Sequence, residues 1–136
     1  MFKIIISIFF ISLVFAKRPD WYPENPLEIE AECMKKYNVN AETIAKNRSF
    51  QLEDTPIVRS LVFCIAVGKN VYRPESGYDP ERLALGLKYG LNLDCNVDFL
   101  SNCAHSHNDV ESQEGKFFDF FKCVFGGIEG NCEKVQ

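Results

Sequence analysis

The chain has 136 residues, 46% of them hydrophobic, with 15 Lys and Arg against 19 Asp and Glu and a formal net charge of −4. This length suits one domain with one core. Nucleic acid and anionic membrane surfaces are not expected as partners, because an acidic chain without basic clusters would not attract them.

The N-terminal segment, residues 1–16, is apolar. It reads MFKIIISIFFISLVFA, with one basic residue, Lys3, before an apolar run that ends in Val14-Phe15-Ala16. The run is too short to span a bilayer and has small residues at the cleavage-site positions. We predict a secretory signal peptide over residues 1–16, a single domain over residues 17–136 and an extracellular location. Loss of Lys3 with this segment makes the net charge one unit more negative.

Six cysteines follow the predicted cleavage site: Cys33, Cys64, Cys95, Cys103, Cys123 and Cys132. An even number in an exported chain indicates three disulfides, for which fifteen connectivities are open on number alone.

The first third of the chain contains an arm and two predicted helices. Trp21-Tyr22 lies in a proline-rich segment that we expect to be extended and exposed. Asn25-Pro26 is a helix start, since Asn caps and Pro suits the first turn, and this helix should run to about Tyr37. Asn40 caps a second, short helix over residues 41–47. Asn47-Arg48-Ser49 is a glycosylation sequon whose use the sequence leaves open.

Cap-and-proline pairs also start the third and fourth predicted helices. Thr55-Pro56 precedes a segment, residues 57–72, whose apolar residues cover well over half of the helical circumference, which predicts a helix surrounded by other elements. Asp79-Pro80 starts a fourth helix that ends at Gly90. Val97 and Leu100 indicate a fifth short helix within residues 94–105.

The sixth predicted helix, residues 114–127, carries five of the twelve phenylalanines and is ended by Gly126 and Gly127. Its apolar side chains fall within an arc of about 160°, opposite Lys116, Asp119 and Lys122. Five rings must therefore be buried, and the surrounded third helix is the natural partner. With about six short helices, disulfide staples and no alternating strand pattern longer than four residues, the fold class is all-α.

No catalytic or metal-binding motif stands out in the sequence. There is no GxSxG, HExxH or CxxC motif and no calcium loop. His105 and His107 are two apart, and a solvated turn explains them better than a metal site, although imidazoles in this position could also sense pH. We predict a protein that is not an enzyme and uses no cofactor or metal.

The cysteine spacing resembles that of the insect odorant-binding proteins, the PBP/GOBP family, over nearly the whole mature chain. Cys33, Cys64, Cys103 and Cys123 match that family's first, third, fourth and sixth cysteines, with 38 residues between Cys64 and Cys103. A rival match that takes Cys123 and Cys132 as the fifth and sixth cysteines fits the upstream spacing less well.

In this match Ser60 and Glu114 occupy the second and fifth cysteine positions, which the family pairs with each other. Loss of both cysteines resembles the Minus-C subclass. The resemblance implies disulfides Cys33–Cys64 and Cys103–Cys123, and the two cysteines left over, Cys95 and Cys132, are expected to pair and to hold the C-terminal tail against the fifth helix.

The resemblance also implies helices packed around an apolar cavity that holds a small hydrophobic molecule, with a membrane receptor as a further partner and the oligomeric state left open. Because the family has no short ligand-binding motif, the wall residues come from the helical wheels. The predicted ligand-binding residues are Leu61, Val62, Ile65, Leu83, Leu87, Glu114, Phe117, Phe118, Phe121 and Phe125.

Glu114 carries a separate hypothesis, because it projects at the centre of the phenylalanine arc and opposite Ser60. A partly desolvated carboxylate should bond Ser60, meet a cation or become protonated, and it would offer an amine or hydroxyl ligand one polar contact. The alternative is a first-turn acid that bends towards solvent.

The sequence thus favours a secreted carrier of a small hydrophobic ligand such as an odorant, a pheromone or a lipid-like compound. The alternative is a secreted disulfide-rich interaction protein of venom or salivary type, which would use an exposed Trp21-Tyr22 arm as its anchor. That anchor would be lost if the arm instead folds back over the helices.

Overall fold

The computed structural model describes residues 18–51, 53–106 and 112–135. The predicted signal peptide therefore lies outside the described residues. Six helices and two short strands follow each other along the described chain: α1 Pro26–Lys36, α2 Ala41–Arg48, α3 Pro56–Gly68, α4 Pro80–Leu91, β1 Leu93–Cys95, α5 Val97–His105, α6 Gln113–Gly126 and β2 Cys132–Lys134. The all-α class is confirmed.

Side-chain caps fix several helix starts where the sequence predicts them. Thr55 accepts a hydrogen bond from the Val58 amide at the start of α3, and Asp79 accepts one from the Arg82 amide at the start of α4. Asn40 likewise accepts from the Thr43 amide in α2. Such bonds satisfy amides that have no partner inside the helix.

The core forms where α6 packs against α3; α1 also packs on α3, and α5 packs on α6. The contact predicted between the third and sixth helices is thus confirmed. The Cys33–Cys64 disulfide joins α1 to α3, and Cys103–Cys123 joins α5 to α6. The cysteine pairs are those implied by the resemblance.

The third bond, Cys95–Cys132, lies in a two-stranded antiparallel sheet that the sequence analysis did not predict. Its two cysteines face each other in the register of β1 and β2. The predicted fifth helix starts too early, because residues 93–95 pair with the C-terminal tail and α5 begins only at Val97. The end of the tail is therefore held at β1, while Gly127 at its start lies close to the Phe99 ring of α5.

Helix α3 is shorter and more exposed than predicted. It ends at Gly68, and Asn70 turns the chain with a left-handed φ of 60°, so residues 69–72 lie outside the helix. Ile57 is 55% exposed, because α1 and α6 cover only part of the circumference of α3. The prediction of a fully surrounded helix was therefore wrong at the N-terminal end of α3, where Ile57 lies.

The N-terminal arm is folded onto the helices instead of projecting into solvent. Tyr22 is only 4% exposed, and its ring lies 5.4 Å from that of Tyr89 in α4. The Arg82 guanidinium covers the Trp21 ring at 4.2 Å, and the Asn70 side chain donates to the Trp21 carbonyl. The expectation of an exposed pair was wrong because these contacts bury Tyr22.

Candidate ligand cavity

A partly open cavity of about 60 Å³ lies between the helices. Helices α3 and α4 supply most of its wall, while α1, α2 and α6 contribute one or two side chains each. Its lining residues are Glu30, Ile44, Val62, Ile65, Ala66, Lys69, Val71, Leu83, Gly86, Leu87, Gly90, Leu91, Phe120 and Phe121. Apolar walls with a few polar groups at one place are typical of sites for small molecules.

Half of the predicted ligand-binding set lies in this wall: Val62, Ile65, Leu83, Leu87 and Phe121. All five lie on the faces of α3, α4 and α6 that border the space between these helices. The helical wheel identifies such a face but cannot tell a residue that touches another helix from one that touches empty space.

The remaining predicted residues lie elsewhere. Leu61 lines a second cavity of only about 10 Å³. Phe117 and Phe118 are at most 1% exposed and belong to the core, where the Phe117 ring lies 5.0 Å from that of Tyr72. Phe125 packs on Phe50 at 5.2 Å. Phe120, which lies in the same arc, lines the cavity instead.

The polar part of the wall is an ion pair that the sequence analysis missed. Lys69 Nζ donates to Glu30 Oε1 at 2.9 Å, and the two side chains are only 7% and 14% exposed. Lys69 follows the last turn of α3, and Glu30 belongs to α1. Burial of two charges is tolerated because they are paired. The wheel of α3 places Lys69 in a polar wedge, but only the tertiary fold brings Glu30 to it.

The Tyr22 hydroxyl lies near this pair. A Cβ atom on Gly90 would stand 3.6 Å from Lys69 Nζ and 4.0 Å from Tyr22 Oη, so both polar atoms approach the same point of α4. Tyr22 Oη is buried and has no hydrogen-bond partner among the described residues. Burial, and secondly the charge of Glu30, raise the pKa of Tyr22, so the hydroxyl stays protonated and remains a donor.

Helix α2 forms the most weakly held part of the wall. It contributes Ile44 to the cavity, and none of its described side chains is buried. Its end is held by the Phe50 ring, which packs on Phe125, although Phe50 itself has a left-handed φ of 64°. An element with few buried apolar contacts is the one that opens at the lowest cost in free energy.

The sequence also matches a family model, that of the PBP/GOBP family, over residues 20–126. The chain belongs to the PBP/GOBP family, the insect odorant-binding proteins. Comparison with curated proteins gave no match, and neither did comparison with solved structures. Members of the family are secreted carriers that bind small hydrophobic ligands and are not enzymes.

In this odorant-binding protein Ser60 and Glu114 take the positions that the cysteine spacing assigns to a missing disulfide. Ser60 Oγ donates to Glu114 Oε2 at 2.9 Å, so a hydrogen bond joins α3 to α6. The bond between these two residues is one of the outcomes expected from the sequence. Glu114 does not line the cavity, so its carboxylate joins two helices and is not placed to contact a ligand there. Membership of the Minus-C subclass stays a prediction.

The remaining candidate groups lie away from the cavity. His105 is exposed, with Nδ1 2.6 Å from the Ser101 carbonyl oxygen, and His107 lies outside the described residues. Within the described ranges no group of three His, Cys, Asp or Glu side chains is placed to hold a metal ion. No helix in the same ranges is long and apolar enough to cross a membrane. Asn47 lies in α2, and the use of its sequon stays a prediction.

Proposed function

We propose that this odorant-binding protein is a secreted carrier that encloses a small hydrophobic molecule, such as an odorant, a pheromone or a lipid-like compound, in the cavity between α3, α4 and α6. The observation that supports it most is the apolar cavity wall inside a chain of this family. Binding by burial of apolar surface needs no covalent chemistry, and release at a membrane receptor would complete the role of a carrier.

The ligand contacts in this proposal are Val62, Ile65, Leu83, Leu87 and Phe121. They come from three helices: Cys33–Cys64 ties α3 to α1 and Cys103–Cys123 ties α6 to α5, while α4 is held by packing on α5 and β1. Rigid apolar walls lower the entropy cost of holding a guest.

The volume of about 60 Å³ is small for such a guest, since ligand pockets typically enclose about 300–1,000 Å³. Binding therefore requires the wall to move outwards. Helix α2 is the part best suited to this movement, because its described side chains are exposed or half-buried and because Ile44 alone of them reaches the cavity.

The alternative, a protein that recognises a partner through an exposed aromatic arm, lacks its supporting feature. Trp21 is half-buried beneath Arg82, and Tyr22 is buried against α4. A flat exposed aromatic anchor is therefore not available at this place.

Fluorescence titration with N-phenylnaphthylamine, an apolar probe that brightens on leaving water, tests the proposal. We expect saturable binding at micromolar concentration, one probe per chain, and competitive displacement by aliphatic compounds of about eight carbons. Absence of saturable binding by the oxidised protein would contradict the carrier proposal.

A further inference from the structure

The proposed carrier function leaves open which chemical class of ligand the cavity prefers. We infer that the Tyr22 hydroxyl and the Lys69–Glu30 pair form a polar end of the site, which selects an apolar ligand carrying a neutral oxygen acceptor, such as an aldehyde, ketone, ester or alcohol. This inference rests on the proposed function and specifies the polar group that the ligand carries.

The first step of the argument is the unused donor. Tyr22 is 4% exposed, and its hydroxyl has no partner among the described residues. A buried hydroxyl without a partner costs free energy, so proteins rarely keep one without a use. An acceptor atom on a bound ligand would satisfy it.

The second step is access from the cavity. Gly90 and Lys69 both line the cavity; Tyr22 lies just behind this part of the wall, and Gly90 has no side chain to separate the cavity from Tyr22 Oη. A methyl group on Gly90 would be in ordinary contact with both Lys69 Nζ and Tyr22 Oη. Gly90 thus leaves this end of the cavity next to both donors.

The third step concerns the charge of the headgroup. Lys69 and Glu30 form a buried ion pair. A ligand carboxylate would compete with Glu30 for Lys69, and a ligand ammonium would compete with Lys69 for Glu30. Either exchange would break this buried ion pair, which is strongly unfavourable. A neutral acceptor takes a hydrogen bond without breaking the pair.

The arm explains how the hydroxyl is held in place. The Tyr22 ring lies between the rings of Trp21 and Tyr89, with centroid distances of 5.9 and 5.4 Å. The Asn70 side chain and the Arg82 guanidinium fix Trp21 on the turn that follows α3. The arm is therefore a positioning element for a single donor at the cavity.

The test compares octanal with the terminal alkene in which a CH2 group replaces the carbonyl oxygen, both as competitors of N-phenylnaphthylamine. The wild-type protein should bind octanal about fivefold more tightly than the alkene, which corresponds to one hydrogen bond of about 1 kcal/mol. Tyr22→Phe should bind both equally, with the alkene affinity unchanged. Gly90→Ala should weaken octanal more than the alkene, since the methyl group would stand next to both donors and hinder the approach of the acceptor.

Tyr89→Phe is the matched control, because it removes a neighbouring hydroxyl from a residue that is 39% exposed and should leave both affinities unchanged. Tyr22→Phe should also raise the thermal midpoint of the ligand-free protein by about 2–4 °C, because an unpaired buried hydroxyl is removed. This rise shows that the variant is folded.

The outcomes separate the two proposals. Equal binding of octanal and the alkene by the wild type, or the same preference for octanal in Tyr22→Phe, overturns the polar end while the carrier function stands. Tighter binding of octanoate or octylamine than of octanal overturns the neutral-acceptor assignment. Failure of all four compounds to displace the probe overturns the carrier proposal as well.

Discussion

Substitution of Ala66 by Val tests whether ligand and side chain compete for the same space. Ala66 lies in the α3 wall of the cavity and is 5% exposed. Valine adds two carbon atoms, which take up part of a cavity of only about 60 Å³. Protein stability should therefore rise as ligand affinity falls.

The magnitudes follow from burial and helix propensity. Two more buried carbon atoms stabilise the ligand-free protein by about 1.6 kcal/mol, and a β-branched residue in a helix costs about 0.6 kcal/mol. The free energy of unfolding should rise by about 1 kcal/mol. A ligand that can no longer bury two of its carbon atoms, because valine occupies that space, should bind about tenfold more weakly.

Urea unfolding and N-phenylnaphthylamine titration measure the two quantities on the same preparation. Ala104→Val is the matched control: Ala104 is also 5% exposed in a helix but does not line the cavity. Overpacking should destabilise this control by about 1–3 kcal/mol and leave the probe affinity unchanged. An Ala66→Val protein that is stabilised but binds the probe as tightly as the wild type would refute the assignment of the cavity.

Three further predictions concern the framework around the cavity. Replacing Cys95 and Cys132 together by Ser opens a loop with a sequence separation of 37 residues and should lower the free energy of unfolding by about 4 kcal/mol in urea titrations; a loss below about 1 kcal/mol would show that the strands hold the tail without the bond. Glu114→Gln should leave probe affinity within about twofold, since this side chain bonds Ser60 and not the cavity, and should lower stability by about 1 kcal/mol; a large loss of affinity would restore Glu114 as a ligand contact. Phe50→Ala should speed probe release about three- to tenfold in stopped-flow experiments, because an aromatic pair that holds α2 is lost; an unchanged release rate would exclude α2 as the moving wall.

Much of the helical framework is predictable from local sequence. The cap-and-proline signals at Thr55 and Asp79 locate the starts of α3 and α4 because capping involves only neighbouring residues. Ser112 caps α6 in the same way by accepting from the Gly115 amide, although no proline follows it to mark the helix start. The two strands escape detection because three residues are too few for an alternating pattern to appear.

The cavity is only partly predictable from the sequence, because it forms where the apolar faces of neighbouring helices do not contact each other. A wheel places Phe117 and Phe120 in the same arc, but the Phe117 ring packs between aromatic neighbours and Phe120 meets the cavity. The polar end depends on groups from α1, the turn after α3 and the arm. Glu30, Lys69 and Tyr22 are distant in sequence, and no periodicity connects them.

The most direct test of the carrier account is a methyl NMR experiment on the wild-type protein saturated with octanal. Intermolecular NOEs should connect the octanal chain to the methyl groups of Val62, Leu83 and Leu87, which line the cavity. NOEs confined to the exposed methyl groups of Leu27 and Val97, which are 70% and 42% exposed, would place the ligand on the surface and contradict the account.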